Sequence, residues 1–352
     1  MRCIVHIGTE KTGSTAIQRS LAVNRAKLSE QGICFGKAAG PVNNRAFPAL
    51  FMSMEREDDF IRQRRFRDAA QREKWREELL TSVAAEMTAA RESHDLFIVS
   101  SEHFHSRLVR GQEVLALRDF LREHFSDVRV VCYLRRQDSM AMSLYTQALR
   151  AGHCPDTILP APVEEGKRLP VYYDFEALLR RWGNAFGGEA LDMREYNREH
   201  LAGGDVVNDF SSLLGDNLGL ESPKSEFNAS LSADAQLALL IFNRMLRESN
   251  KLETRKPRRR LVTFLESRAT GKGRMPDRNS AEAFYRQFKS GNDACARQWL
   301  GRDHLFEENF SDYPAVATDG RRQRALLLLA DYLAEESRTL FARAAKRLAP
   351  GD

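Results

Sequence analysis

The sequence predicts an α/β fold, with a central parallel sheet of about five strands flanked by helices and a mainly helical carboxyl-terminal third. Three observations support this prediction. The chain begins with a short apolar strand that leads through a glycine-containing loop into residues with helical spacing. Two later runs, at 95–101 and 128–134, are almost continuously apolar, as parallel strands buried on both faces must be. Charged, helix-permissive segments make up much of the remaining chain.

Length and composition limit the domain organisation and the kinds of ligand. At 352 residues the chain can bury one large core or two modest ones. We expect one domain over 1–352, with an α/β core at 1–220, a helical insertion at 54–93 and a helical region at 221–352. A net charge of +5, from 54 basic and 49 acidic residues, favours anionic ligands but is too small for a nucleic-acid binder.

The five cysteines and the apolar runs exclude other classes of protein. The cysteines lack the paired spacing of a metal site, and we expect them to be reduced core residues. No apolar run reaches the length of a membrane span, and the amino terminus begins directly with a strand. We therefore expect a cytoplasmic protein with no transmembrane segment.

The first loop runs from Gly8 to Thr15 and has the form of a phosphate-binding loop. A loop that enters a helix presents free backbone N–H groups and the positive end of the helix dipole to an anion. Its two glycines have the spacing of an NTPase P-loop, but Ser14 stands where that motif has its lysine. The lysine lies inside the loop, at Lys11. This displacement argues against ordinary Mg-ATP chemistry.

The next segments supply a second strand and a helical insertion. Residues 32–36 form a short apolar run bounded by glycines, which predicts a strand. The charged segment 54–93 has a thin apolar stripe, which predicts two helices lying across the sheet. Its basic cluster at 62–67 is either a solvated helix face or a contact surface for an anionic acceptor.

The third strand, at 95–101, delivers polar side chains to the carboxyl edge of the sheet, where ligands bind in open parallel sheets. These side chains are Glu102, His103 and His105. If the strand persists, alternation sends Glu102 and His103 to opposite faces, so that one of them points into the cleft. His105 is either a site residue or a simple loop residue.

The fourth strand, at 128–134, is followed by Arg135 and by a helix that Gly152 ends. Ser143 lies eight residues after the arginine, two turns into this helix, so that both can converge on one phosphate. The proline-rich segment 153–170 predicts a long loop that serves as a lid or acceptor loop.

The rest of the chain completes the core and adds helices. Residues 175–186 and 205–214 predict helices, and 190–196 predicts a fifth strand. Further helices are predicted at 231–248, 281–289 and 321–347, with a compact basic run at 256–260. In the segment 270–276, two glycines allow close approach of a ligand and two cations accompany them.

Three of these motifs resemble those of sulfotransferases that use 3′-phosphoadenosine 5′-phosphosulfate (PAPS). Lys-Thr-Gly-Ser-Thr at 11–15 resembles their 5′-phosphosulfate loop. Arg135 followed by Ser143 resembles their 3′-phosphate motif, although Arg136-Gln137 replaces the family's frequent Asn-Pro. The segment 272–274, Lys-Gly-Arg, resembles the late loop of heparan-type carbohydrate sulfotransferases, which closes over the 3′-phosphate.

The resemblance implies a P-loop NTPase-like sulfotransferase fold. It also implies sulfuryl transfer from PAPS to a hydroxyl or amine of a saccharide or glycolipid, with adenosine 3′,5′-bisphosphate as product and without a metal. No nucleic-acid partner is expected. Peripheral contact with a membrane-borne acceptor is compatible with this function, and the oligomeric state stays open. The cofactor-binding residues so implied are Lys11, Thr12, Gly13, Ser14, Thr15, Arg135, Ser143, Lys272, Gly273 and Arg274.

The catalytic residues implied are Glu102, Lys11 and His103. Heparan-type enzymes often take their catalytic glutamate from near the second strand, but the segment 32–50 contains no glutamate. Cytosolic sulfotransferases place a catalytic histidine at the end of the third strand, and Glu102 fits that position. Because one residue of register decides which side chain enters the cleft, His103 is the second candidate.

Two other functions fit parts of the same pattern. A kinase or NTPase with a rearranged loop would use Glu102 as a ligand of Mg²⁺, but the absent lysine after Gly13 argues against it. A non-catalytic nucleotide-binding module would keep the fold without the chemistry, yet the chain retains both Lys11 and Glu102.

Overall fold

The structure is a computed structural model, and it describes residues 1–164, 167–215, 218–221, 230–247 and 251–348. At 251–253 and 341–348 it describes the backbone alone. The chain divides into two compact units, which are described separately. The first unit comprises 1–137, 163–224 and 287–307, and the second comprises 138–162, 225–286 and 308–352.

Five parallel strands form one sheet in the first unit, which confirms the predicted α/β class. Their order across the sheet is β2-β3-β1-β4-β5. The first strand is therefore central, and its carboxyl end lies between the ends of β3 and β4. The strands are β1 (Arg2–His6), β2 (Ile33–Phe35), β3 (Leu96–Ser100), β4 (Asp127–Leu134) and β5 (Leu191–Glu195).

Helices occupy most of the chain between and after the strands. They are α1 (Ser14–Val23), α2 (Arg25–Glu30), α3 (Ala46–Phe51), α4 (Asp59–Arg64), α5 (Ala69–Ala90), α6 (His103–Arg107), α7 (Gly111–His124), α8 (Gln137–Ala151), α9 (Phe175–Phe186), α10 (Val206–Ser212), α11 (Ala233–Met245), α12 (Lys251–Arg268), α13 (Arg278–Cys295) and α14 (Arg322–Leu348). Short 3-10 turns lie at Gly188–Ala190 and Ala202–Gly204, and a π-helical turn lies at Ala296–Leu300. The charged segment 54–93 thus carries two helices, α4 and α5.

Apolar packing against the sheet fixes the position of α1. Ile17 and Leu21 lie one turn apart on this helix and are 1% exposed. They belong to one buried cluster with Ile4 of β1, Ile98 of β3 and Phe210 of α10. Full burial of each such side chain stabilises the fold by about 1.5–3 kcal/mol. The helix that begins at the phosphate-type loop is therefore anchored to the centre of the sheet.

The second unit has its own helical core. Helix α11 contributes Leu239, α12 contributes Leu261 and Leu265, and α14 contributes Leu329 and Tyr332 to one buried cluster. Tyr145 and Leu149 of α8 belong to the same cluster. Among the described residues, no helix combines the length and the apolar character that crossing a bilayer requires.

Candidate functional site

The loop between β1 and α1 has a backbone that only glycine suits at two points. Gly8 has a φ of +98°, and a Cβ there would lie 3.0 Å from the Cα of Glu102. Gly13 has a φ of +77°, and a Cβ there would lie 2.6 Å from Cγ1 of Val206. Positive φ angles strain residues that carry a Cβ. These glycines let the loop pass close to the end of β3 and to α10.

Hydrogen bonds inside the loop hold it in one shape. The hydroxyls of Thr12 and Ser14 donate to the carbonyl of Thr9, over 2.6 and 3.2 Å. The backbone N–H of Thr9 donates to the carbonyl of Tyr133 over 2.8 Å, and its hydroxyl donates to the same carbonyl over 3.0 Å. The two hydrogen bonds to Tyr133 therefore fasten the loop to β4.

The backbone N–H groups at the end of the loop remain available to a ligand. Helix α1 begins at Ser14, and its first N–H groups have no intrahelical acceptor. Within the described parts of the chain, the N–H groups of residues 12–15 donate to no protein acceptor. Free N–H groups at the start of a helix bind anions, because they add hydrogen bonds to the field of the helix dipole.

Two cations and an aromatic ring lie at this loop. Arg135, one residue beyond β4, donates from Nη1 to the carbonyl of Lys11 over 3.2 Å. Its guanidinium carbon is 5.7 Å from the ring centroid of Tyr196, which directly follows β5. The same ring would lie 3.3 Å from a Cβ on Gly13. Lys11 and Arg135, which the sequence analysis names as cofactor-binding residues, therefore lie together in the structure. Tyr196, which it does not name, lies beside them.

The carboxylate of Glu102 lies beside this loop and is held by two amides. Gln18 of α1 donates from Nε2 to Oε2 of Glu102 over 2.8 Å. Asn43 donates from Nδ2 to the two carboxylate oxygens over 3.1 and 3.0 Å. The side chain of Glu102 nevertheless remains 19% exposed. It is therefore both fixed in orientation and open to a ligand.

His103 accompanies Glu102 because β3 ends earlier than the sequence analysis assumed. The strand stops at Ser100, and the backbone is already helical at Glu102. Strand alternation does not apply there, and Nε2 of His103 lies 3.7 Å from Oε1 of Glu102. Burial, with a smaller contribution from Arg45, lowers the pKa of His103 to about 4. The imidazole is therefore neutral at pH 7 and can accept a proton.

His105, the third polar residue after β3, is a core residue. It is 0% exposed, and its ring packs edge-on against Tyr172 with centroids 5.6 Å apart. Burial, with smaller effects from Arg181 and Arg107, lowers the pKa of His105 to about 3. We expected either a site residue or a simple loop residue at position 105, but His105 lies in α6 and its ring is buried in the core.

A buried carboxyl group in the loop was missed by the sequence analysis. Glu10 is 7% exposed and accepts a hydrogen bond from the hydroxyl of Tyr172 over 3.1 Å. That hydroxyl accepts one from Nη1 of Arg107 over 3.2 Å. Burial raises the pKa of Glu10, while the charge of Arg107 and the hydrogen bond from Tyr172 oppose the rise. A polar chain thus joins the loop to α6.

The remaining predicted cofactor residues lie in the second unit. Ser143 lies in α8 and is half-buried. Arg274 contacts this helix through the hydroxyl of Tyr145 and also pairs with Asp319, over 2.6 Å. A Cβ on Gly273 would lie 2.2 Å from Nε2 of Gln236, so a larger residue there would require this amide to move. Lys272 is exposed, and within this unit the contact of Arg274 with Tyr145 places the segment 270–276 against α8.

Two of the residues that sequence reasoning missed could have been found from their position in the sheet. Tyr196 directly follows β5, and Glu10 lies in the first loop, so both stand at the carboxyl edge of the sheet. That edge is where ligands bind in open parallel sheets, and polar or aromatic residues there are candidates by position alone. Gln18 and Asn43 carry no such signal, because side-chain contacts across 84 and 59 residues of sequence, respectively, decide their role.

Comparison with known proteins adds one relative. A protein of Archaeoglobus fulgidus, described as an uncharacterized protein, is 30% identical over 214 residues. The match covers 59% of this chain and 55% of the relative, so the chain spans little more than half of that protein's length. No family model matches the sequence.

Proposed function

We propose that this protein is a PAPS-dependent sulfotransferase. The observation that carries the proposal is the loop after β1, where free N–H groups at residues 12–15 lie beside Lys11 and Arg135. Hydrogen-bond donors and two cations fit a phosphosulfate, whose oxygens carry negative charge. The motif resemblance adds the choice of PAPS over a nucleoside triphosphate, because the usual P-loop lysine position holds Ser14.

The residues of the loop would stabilise charge on the leaving phosphate. When bound, PAPS supplies an activated sulfuryl group for in-line transfer, a reaction close in logic to phosphoryl transfer. Lys11 and the N–H groups of residues 12–15 then act as an anion-stabilising cradle, whose shape is held by hydrogen bonds inside the loop. The hydroxyls of Thr12 and Ser14 donate inside the loop, so their role is to hold its shape as well as to line it.

Glu102 is proposed as the general base. Its Cα and Cβ lie against Gly8 at the start of the loop, and two amides fix the orientation of its carboxylate. A base in this position takes the proton from the acceptor hydroxyl as the oxygen forms its bond to sulfur, which contributes about 10²-fold or more. His103, 3.7 Å away and neutral at pH 7, is the second candidate.

The acceptor is proposed to be a saccharide or glycolipid hydroxyl. The resemblance to carbohydrate sulfotransferases suggests it, and the surface around α4 supports it. Arg64 stacks over the rings of Phe60 and Trp75, 4.5 Å from each centroid. Among the described residues, the exposed arginines at 62, 64, 65 and 67 make no ion pair with a carboxylate. Cations and stacked rings of this kind suit sugars that carry negative charge. The cytoplasmic location stays a prediction.

Ligand-induced thermal stabilisation tests the cofactor assignment directly. Adenosine 3′,5′-bisphosphate at 100 times its Kd is expected to stabilise the fold by about 2.7 kcal/mol, whereas ATP with Mg²⁺ at the same concentration should do much less. Sulfuryl transfer should also persist in EDTA. Equal shifts from the two ligands, or a shift that requires Mg²⁺, would favour a nucleotide kinase or NTPase instead.

A further inference from the structure

Helix α14 carries two apolar faces, and only one of them is buried. The first face includes Ala325, Leu329 and Tyr332, which are at most 7% exposed and pack in the core of the second unit. The second face is exposed to solvent. Every strongly exposed leucine of the described residues belongs to this helix, and these are Leu326, Leu327, Leu333 and Leu340, at 47, 58, 55 and 63%. Exposed apolar residues are normal when scattered, but a contiguous set marks an interaction surface.

The spacing along the exposed face is regular. Leu326, Leu333 and Leu340 recur every seven residues, and the small residues Ala330 and Ser337 lie between them with the same period. At about 100° of rotation per residue, these five side chains form one stripe, roughly 21 Å long from first to last. Leu327 and Ala334 extend the stripe on one side, and both are exposed. A seven-residue repeat of large and small apolar residues is the pattern of helices that pack side by side.

We propose that this α14 face, from Leu326 to Leu340, docks against the same face of a second copy of the chain, with the two helices antiparallel. The face complements itself in that direction. When Leu333 is placed opposite the partner's Ser337, Ala330 comes opposite the partner's Leu340. Leu333 and Leu340 then each meet a small residue, and the backbones can approach closely. A parallel pair in register would place leucine on leucine and leave gaps at Ala330 and Ser337.

Charge along the edge of the face favours the same register. Asp331 and Arg338 are exposed and lie on the same edge of the stripe. In the antiparallel register, Asp331 comes within one residue of the partner's Arg338, and twofold symmetry repeats the pair. Charge also argues against a lipid surface as the occupant. Along the stripe itself, from 326 to 340, the helix carries three carboxylates and one guanidinium, and its other basic residues lie toward its two ends. Membrane-surface helices instead present a basic polar face along the apolar stripe to anionic lipids.

Sedimentation equilibrium of the full chain tests this proposal. The wild type is expected to dimerise reversibly at micromolar concentration. Leu333→Glu should raise the dimer Kd by about 100-fold or more, because the new carboxylate would be buried in an apolar interface. Val316→Glu is the matched control: it introduces the same charge at a residue that is 79% exposed and outside α14, and the Kd should not change. Melting temperature confirms that each variant folds.

A charge exchange tests the direction of the helices. Asp331→Arg and Arg338→Asp should each weaken the dimer about 5- to 20-fold, because each single reversal creates two like-charge pairs. The double variant D331R/R338D restores opposite charges and should return the Kd to within about twofold of wild type. The proposal would be overturned by a wild type that is monomeric at 100 µM. It would also be overturned if the increases in dimer Kd of the two single variants added up in the double variant. So would cosedimentation of the wild type, but not Leu333→Glu, with vesicles containing anionic lipid.

Discussion

A hydrogen bond of 2.8 Å joins Nε2 of Gln18 to Oε2 of Glu102. Gln18 lies in α1, one turn after the loop that we propose to bind the cofactor, and Glu102 lies just beyond β3. The proposed base and the proposed cofactor loop are therefore parts of one hydrogen-bonded assembly. A displacement of one would alter the position of the other.

Glu102→Gln should abolish most of the catalysis and leave cofactor binding intact. Glutamine keeps the shape of the side chain but has no basicity, so kcat should fall about 10²-fold or more. The Kd of adenosine 3′,5′-bisphosphate, measured by calorimetry, should stay nearly unchanged. If Glu102→Gln keeps a normal kcat while His103→Ala abolishes turnover, His103 is the base and Glu102 orients it.

Gln18→Leu tests whether the hydrogen bond from Gln18 to Glu102 contributes to catalysis. Leucine fills a similar volume and cannot donate, so Glu102 would keep only the amide of Asn43. We expect kcat to fall about tenfold, since loss of orientation lowers the rate without changing the reacting groups. KM and bisphosphate affinity should change little. Gln112→Leu, on the exposed surface of α7, is the matched control. A purely structural role for Gln18 would show instead as a lower melting temperature with normal kcat.

Arg135→Ala should weaken cofactor binding. A charge-assisted contact to phosphate contributes about 1.5–3 kcal/mol, so the Kd of adenosine 3′,5′-bisphosphate should rise roughly 10- to 150-fold. The fold should survive, because Arg135 is half-buried at a strand end. Its neighbour Arg136 donates to the carbonyl of Glu307 over 2.8 Å and provides the control, with a much smaller expected effect. An unchanged Kd in Arg135→Ala would show that the phosphates bind elsewhere.

The sequence predicted those parts of the fold that depend on local pattern. Continuous apolar runs placed β3 and β4, and the glycines placed the loop at Gly8 and Gly13, because these signals come from neighbours in the chain. The end of β3 was less well defined. The pairing with β1 ends at Ser100, with a last hydrogen bond from the N–H of Ser101 to the carbonyl of His6, and the backbone then turns helical and puts His103 beside Glu102.

Contacts between distant residues account for what the sequence did not predict. The hydrogen bonds that orient the carboxylate of Glu102 come from Gln18 and Asn43. The ring of Tyr196 reaches Gly13 only because β5 pairs with β4. Neither residue type nor spacing encodes such contacts. The cofactor roles of Ser143, Lys272, Gly273 and Arg274 stay predictions from the motif resemblance.

Gly13→Ala should destabilise the fold for two separable reasons. The added Cβ would lie 2.6 Å from Cγ1 of Val206, and the φ of +77° is itself unfavourable for alanine by about 1 kcal/mol or more. The midpoint of urea unfolding should therefore fall. Adding Val206→Ala should recover only the steric part, measured against Val206→Ala alone. Gly188→Ala, where a Cβ meets nothing within 4 Å, should be close to neutral. If Gly13→Ala and Gly188→Ala changed the urea midpoint equally, the loop would be able to accommodate a Cβ at Gly13.

Buried histidines should make the protein less stable in mild acid. Burial lowers the pKa of His6 to about 4, of His103 to about 4 and of His105 to about 3, below the ordinary value of 6.5. The unfolded chain therefore binds more protons than the folded chain between about pH 4 and 6.5. Stability is then fully present above pH 6.5 and is lost as the pH falls through this window.

His105→Phe isolates one of these contributions. The ring of His105 is fully buried against Tyr172, so phenylalanine can replace it with little change in volume. We expect the urea midpoint of the variant to fall less between pH 7.5 and pH 5 than that of the wild type, because one group no longer has to be deprotonated for folding. At pH 7.5 the two proteins should be nearly equally stable. An unchanged pH dependence in the variant would mean that His105 takes up no additional proton on unfolding, contrary to the environment that the structure gives it.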